Sequence, residues 1–297
     1  MQKPLIFSGI VPALVTSFKK NGELDLEGIT ANTEFLASKG VWGLLVCGST
    51  GEAAALTPEE RIKVIRTVVD ASKGRLKIIA GTGSPVTSET IRLSEQAKDA
   101  GADAVLVLTP YYVIPTQAGL LKHYEAINNA IKMPIIVYNL PQHTLVDIDI
   151  ETLEKLADLE YICGLKESSC RTGYVAEAFS RVGKKISIIE GGDDVTFPSL
   201  CMGVAGCIVA LGNLAPGELV SIYDNVRAGN FEKARKTYFQ ILPIARAISV
   251  SVNFPAGVKI GVDLLGRPSG PVRSPLTITA KETESIRRAL IASRLLA

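Results

Sequence analysis

The chain has 297 residues, with 32 basic against 30 acidic side chains and a net charge of +2, too near neutral for an electrostatic nucleic-acid or anionic-membrane footprint. A hydrophobic share of 47% and a charged share of 21% exclude intrinsic disorder and supply a large core. The mean hydropathy of +0.25 does not signal a membrane span, because the longest strongly apolar run, 201–211, is about half the ~20 residues a span needs.

That hydropathy fits an all-parallel sheet buried on both faces, whose strands read as unbroken Val/Ile/Leu runs. In chain order the runs lie at 10–15, 43–47, 77–80, 104–108, 135–138, 163–166, 187–190 and 206–210. Between them stand helix-like segments such as 26–38, 58–72, 88–100 and 117–131. Thr57-Pro58-Glu59-Glu60 offers an N-cap hydroxyl, a first-turn proline and a capping-box glutamate. Gly101-Ala102-Asp103 stops a helix and turns into a strand. A repeat of roughly 25 to 30 residues is the length of one βα unit, and eight units in about 225 residues predict a (β/α)8 TIM barrel of the α/β class. Additional C-terminal helices are expected at 231–251 and 279–296, joined by a Gly- and Pro-rich stretch at 253–273. The expected division is a catalytic barrel domain at 1–228 and a helical extension packed on it at 229–297.

The N-terminus lacks a basic region followed by an apolar one, and the five cysteines form no C-x-x-C. No signal peptide, disulfide framework or zinc knuckle is therefore expected, and a reduced, cytoplasmic protein is.

Chemistry in such barrels sits at the C-terminal strand ends. Those ends carry Gly48-Ser49-Thr50-Gly51-Glu52, Thr109-Pro110-Tyr111-Tyr112, Tyr138-Asn139-Leu140-Pro141, Lys166-Glu167-Ser168-Ser169 and Gly191-Gly192-Asp193-Asp194. Lys166 follows an apolar strand, where desolvation favours a neutral, nucleophilic amine that attacks a ketone to give a Schiff base. A strand-end lysine also reads as a snorkelling or ion-paired side chain. Tyr138 is suited to shuttle protons near such an imine. Ser49 and Thr50 are suited to relay them, and their N–H groups to bind a carboxylate. A packed tyrosine and a plain turn explain each feature singly. Hydroxyls, phenols and one lysine on successive strand tips favour the site.

The ordered motifs Gly-Ile-Val-Pro-Ala at 9–13, G-S-T-G-E at 48–52, T-P-Y-Y at 109–112, Y-N-L-P at 138–141, G-L-K-E at 164–167 and G-P-V-R-S-P-L at 270–276 span essentially the whole chain. With them the sequence resembles the dihydrodipicolinate synthase / N-acetylneuraminate lyase family of class I, pyruvate-type aldolases. The resemblance implies that Lys166 forms the imine with a keto acid such as pyruvate, that Tyr138 is the acid/base with Ser49 hydrogen-bonded to it, and that Tyr112 enters the site of a neighbouring subunit. It implies Thr50 as the carboxylate holder, no separate cofactor or metal, and a homotetramer built as a dimer of dimers. The expected substrate-binding set is Thr50, Gly48, Gly51, His143, Gly191, Asp193, Asp194 and Ile208.

One departure concerns the second substrate. Where dihydrodipicolinate synthases carry an arginine two residues after Y-N-x-P, this chain has His143, which lacks a bidentate guanidinium fork. That places a 2-keto-3-deoxy sugar acid slightly ahead of aspartate-semialdehyde, with Asp193 and Asp194 as acceptors for sugar hydroxyls or, more plainly, as helix caps near Val195. The alternatives are a 4-hydroxy-tetrahydrodipicolinate synthase, a keto-deoxy acid dehydratase acting through the same imine, and a non-catalytic keto-acid sensor. With His123 and His143 the only histidines, a metal-dependent aldolase is disfavoured. Asp193 and Asp194 would repel a phosphate dianion beside Gly191-Gly192, and no G-x-G-x-x-G opens a helix for a nicotinamide.

Overall fold

The computed structural model describes residues 7–249 and 253–297. The expectations for residues 1–6 and for the 250–251 end of the first C-terminal helix lie outside them. The eight apolar runs form eight strands: β1 (Gly9–Pro12), β2 (Gly43–Val46), β3 (Lys77–Gly81), β4 (Ala104–Leu108), β5 (Ile135–Asn139), β6 (Ile162–Glu167), β7 (Ser187–Glu190) and β8 (Gly206–Val209). They pair in parallel in the order β1-β8-β7-β6-β5-β4-β3-β2. A parallel bridge between Ala13 and Leu45, with Leu14 N–H donating to the Leu45 carbonyl at 2.9 Å, joins β1 to β2 and closes the (β/α)8 barrel.

The continuous apolar reading of these strands has a two-layer cause. Successive side chains point to opposite faces, and both faces are covered. Val11, Leu45, Ile79, Leu106, Ile136, Ile189 and Ile208 fill the barrel interior. Ile10, Leu44, Ile78, Val105, Val137, Leu165 and Ile188 pack outward against the helices. The apolar stretch 201–211 is not a span but the end of a short helix, a turn and a barrel strand, Gly206–Val209, that is buried along its whole length.

The outer layer comprises α1 (Leu26–Ala37), α2 (Pro58–Ser72), α3 (Thr87–Asp99), α4 (Gln117–Ile131), α5 (Pro141–Thr144), α6 (Ile150–Asp158), α7 (Thr172–Val182), α8 (Thr196–Cys201) and α9 (Pro216–Arg227). Thr57 and Glu60 make the expected reciprocal capping box at α2, satisfying two of the donors a helix start leaves open.

Three further helices follow: α10 (Phe231–Ser249), α11 (Phe254–Leu264) and α12 (Ala280–Ala292). The stretch 253–273, expected only to join two helices, contains α11. Its Pro255 sits in the first turn, where the missing N–H has no helical partner to lose. Its Gly261 serves close packing, since a Cβ there would stand 2.7 Å from a Leu214 methyl. Ala256 to Val262 are all buried, which erases the amphipathic signature by which a helix is read. Pro243 lies inside α10, and the N–H of Ile244 beside it donates to the Ser293 hydroxyl just beyond α12 at 3.1 Å.

The seam between β1 and β8 is tight enough to test. A Cβ on Gly206 would lie 2.0 Å from the Gly9 carbonyl oxygen, a backbone atom that cannot swing aside. Gly206→Ala should lower the melting temperature in calorimetry by roughly 5–10 °C, from an overpacking penalty of about 1–3 kcal/mol or more. Gly217→Ala in α9, where nothing lies within 4 Å, should leave it unchanged or raise it, because alanine is favoured over glycine in a helix by about 0.5–1 kcal/mol.

Candidate active site

On β6, Leu165 belongs to the outer core, so the next residue turns inward. Lys166 is thus held within the barrel mouth, 5% exposed. It is in register with Tyr138 on β5, which is 6% exposed. The Lys166 ammonium nitrogen lies 4.0 Å from the centre of the Tyr138 ring. An amine and a phenol placed this way can form an imine and handle its protons at one position.

The loop after β2 lies at the same rim. Cys47 and Glu52 bracket it, both in the left-handed region with φ 54° and 53°. Glu52 N–H donates to the Ser49 carbonyl at 3.0 Å and Ala53 N–H to the Gly48 carbonyl at 3.2 Å. Among the described residues, no backbone or side-chain group accepts from the N–H of Ser49, Thr50 or Gly51. Three consecutive free donors on one turn are suited to an anionic oxygen. Gly81 lets the loop pass, since a Cβ there would stand 2.2 Å from the Cys47 carbonyl oxygen.

At the seventh strand tip, Gly191 closes over Lys166: a Cβ on it would meet the lysine Cε at 2.8 Å and the Ser168 hydroxyl at 1.9 Å. Glu190 holds this turn by accepting from the N–H groups of Gly191 at 2.9 Å and Gly192 at 2.6 Å. Burial raises its carboxyl to about 7 against the hydrogen bonds from Ser199 and the two glycine amides. Asp193, also buried, accepts from Leu211 N–H at 2.7 Å. Burial, partly offset by that N–H and by the Lys166 charge, likewise pushes Asp193 up to about 7. Glu167 is raised mainly by burial, while Asn139 Nδ2 donates to it at 2.8 Å and to Asp147 at 2.9 Å.

Lys166, Tyr138, Thr50, Gly48, Gly51, Gly191 and Asp193 thus lie on strand tips or the loops that continue them, and Ile208 is in the barrel interior beneath. Other expected residues are placed differently. Ser49 is exposed, and no hydrogen bond joins it to Tyr138 among the described residues. Tyr112 is 95% exposed with φ 69°, and Val113 and Ile114 beside it are each 61% exposed. His143 sits exposed on α5. The capping role weighed for the aspartates is not used: Val195 occupies the N-cap of α8, with no side-chain hydrogen bond there. Asp194 is half-buried, and its carbonyl accepts from the Tyr238 hydroxyl at 2.6 Å.

The sequence pattern places Asn139 and Ser168 on strand tips but assigns no role to them or to Glu190. The signal for Ser168 is its place two residues after Lys166. Glu190 looked like an ordinary strand end, because its amide partners are ordinary turn glycines.

The chain matches the Dihydrodipicolinate synthetase family over residues 6–293. It is 40% identical over 283 residues to a 4-hydroxy-tetrahydrodipicolinate synthase of Methanocaldococcus jannaschii, covering 95% of this chain and 96% of that protein. The dihydrodipicolinate synthase structure of Thermotoga maritima superposes with a TM-score of 0.94 at 35% identity, covering 98% of this chain and all of the other. The chloride-inhibited dihydrodipicolinate synthase of Acinetobacter baumannii complexed with pyruvate gives 0.93 at 31% identity, with 98% and 100% covered.

The raised carboxyls make stability depend on pH. The folded chain keeps protons on Asp193 and Glu190 up to about pH 7, whereas the unfolded chain releases them in the ordinary carboxylate range. Their stabilisation is complete below that range and is lost as pH rises through about 7. Asp193→Asn, which keeps the acceptor for Leu211, should therefore reduce the fall in stability between pH 4.5 and 8 by on the order of a few kcal/mol. Urea unfolding at the two pH values measures it.

Proposed function

This chain belongs to the dihydrodipicolinate synthetase family, and from that membership we propose a Schiff-base lyase that joins pyruvate to an aldehyde, or splits the keto acid they form, through Lys166. The observation that carries the proposal is the buried lysine in register with Tyr138, its nitrogen 4.0 Å from the phenol ring centre. The neutral amine attacks the ketone carbon of pyruvate and water leaves, giving a protonated imine. That cation accepts the electron pair when the methyl group loses a proton. The resulting enamine attacks the aldehyde carbon, and water then hydrolyses the imine to free the lysine. Tyr138 carries the protons of these steps, and the N–H groups of Ser49, Thr50 and Gly51 hold the carboxylate.

No cofactor is needed, because the imine is itself the electron sink. Tyr112, standing clear of its own chain, is the group a second copy would receive in a tetramer. Similarity to the methanogen synthase favours aspartate-semialdehyde as the aldehyde. His143 favours a 2-keto-3-deoxy acid, as it lacks the fork for a second carboxylate.

Pyruvate with borohydride should add one reduced pyruvyl group to the wild-type mass, and Lys166→Ala should show none. An equal adduct in Lys166→Ala would refute the mechanism. Tyr138→Phe should keep the adduct and lower kcat about 10²- to 10⁴-fold. A panel of aldehydes and keto-deoxy acids identifies the partner. Turnover with aspartate-semialdehyde alone would remove the case built on His143, and His143→Arg should then lower the KM for that aldehyde.

A further inference from the structure

Glu52 ends the loop that offers the three free N–H groups, and its backbone is left-handed at φ 53°. A non-glycine residue persists there only where its surroundings hold it. The hold is an ion pair: the Glu52 carboxylate meets Lys259 Nζ of α11 at 2.6 Å, with the side chains 1% and 0% exposed. The same carboxylate accepts from the Arg273 N–H at 2.9 Å. Lys259 donates onward to the Pro271 carbonyl at 2.7 Å.

Residues 269–273 are in turn fastened to the barrel. Gly270 has φ +69°, and a Cβ there would overlap the Phe18 carbonyl oxygen at 1.8 Å, so only glycine passes. Lys259 Nζ and the Arg273 guanidinium lie 4.1 and 4.3 Å from the Phe18 ring centre. Arg273 also grips Glu60, the capping-box residue of α2, through its two terminal guanidinium nitrogens. The last residue of G-S-T-G-E and the first four of G-P-V-R-S-P-L therefore form one assembly, although more than 200 residues separate them in sequence.

Filling the same space with apolar side chains would avoid taking two charges out of water. Packing alone therefore gives no reason for the pair. What the pair does that packing does not is fix a carboxylate, which also accepts from the Arg273 backbone N–H, against an ammonium at the end of a loop whose backbone is strained.

We infer that Glu52 and Lys259 are positioning residues: the pair is a strut by which the C-terminal helices hold the 48–52 amides in the orientation that receives the substrate carboxylate. This rests on the pyruvate-imine reading above and extends it to residues outside the strand tips. Loss of the strut weakens capture of the keto acid without removing the amine that reacts with it.

The test reads the pyruvate concentration that half-saturates borohydride trapping, which needs no knowledge of the aldehyde. Glu52→Gln with Lys259→Met removes both charges together and leaves no unpaired buried ion. The expected result is a tenfold or greater rise in half-saturating pyruvate, with full trapping at saturation and a melting temperature near that of the wild type. A folded double variant with the wild-type value overturns the strut. Should the double variant fail to fold, Arg273→Lys keeps the pair but loosens the segment over it. In that variant a threefold or greater rise supports the strut, and an unchanged value overturns it. Wild-type protein that traps no pyruvate refutes the imine reading and the strut with it. A trapping wild type with unresponsive variants refutes the strut alone.

Discussion

Closing eight short parallel strands covers both faces of every strand, so a strand residue meets polar company only at the rim. The rest of the structure follows from that constraint. Inside, Ile136, Ile189 and Ile208 exclude water. At the end of β6 the inward position after Leu165 is occupied by Lys166, whose amine is carried into the barrel mouth on an apolar stem. Any group placed there is oriented by the sheet register rather than by a flexible loop, which explains how a lysine and a tyrosine on adjacent strands come to lie face to face.

The same enclosure sets the electrostatics. Glu167, Glu190 and Asp193 are all buried near the rim, where an unpaired carboxylate is costly. Each is met by donors: Asn139 and Ser169, the Gly191 and Gly192 amides with Ser199, and the Leu211 amide. Backbone N–H groups are the main currency of these contacts, so the turn conformations and the protonation of the acids are linked. In the Ser49–Gly51 loop the arrangement is reversed: among the described residues no protein group accepts from its backbone donors. Free donors on the β2 loop let the proposed site receive an anionic keto acid without a global positive field, in keeping with a net charge of only +2.

The legibility of this fold differed between its parts. Strand positions could be read because a double-sided core demands unbroken apolar runs, and α2 because Thr57 and Glu60 announce its start. The helix at Phe254–Leu264 was hidden by its own burial: with Ala256 to Val262 all enclosed it has no polar face, and Gly257 and Gly261 imitate a loop. Lys166 and Tyr138 stood out as polar residues ending apolar runs. Glu190 did not, since a glutamate before two glycines has many ordinary explanations.

By itself the sequence determined the barrel, its eight-fold repeat and the presence of a lysine, a phenol and hydroxyls on the strand tips, because periodicity and tip position are local properties. Which of these groups face one another was decided only by the closed sheet. Ser49 and His143 come out exposed, and Asp193 is taken up by an amide eighteen residues away. The tie between Glu52 and Lys259 likewise exists only in three dimensions. It joins residues from opposite ends of the chain, and no pattern along the sequence records a pairing that only closure of the barrel and docking of its last helices bring within 2.6 Å.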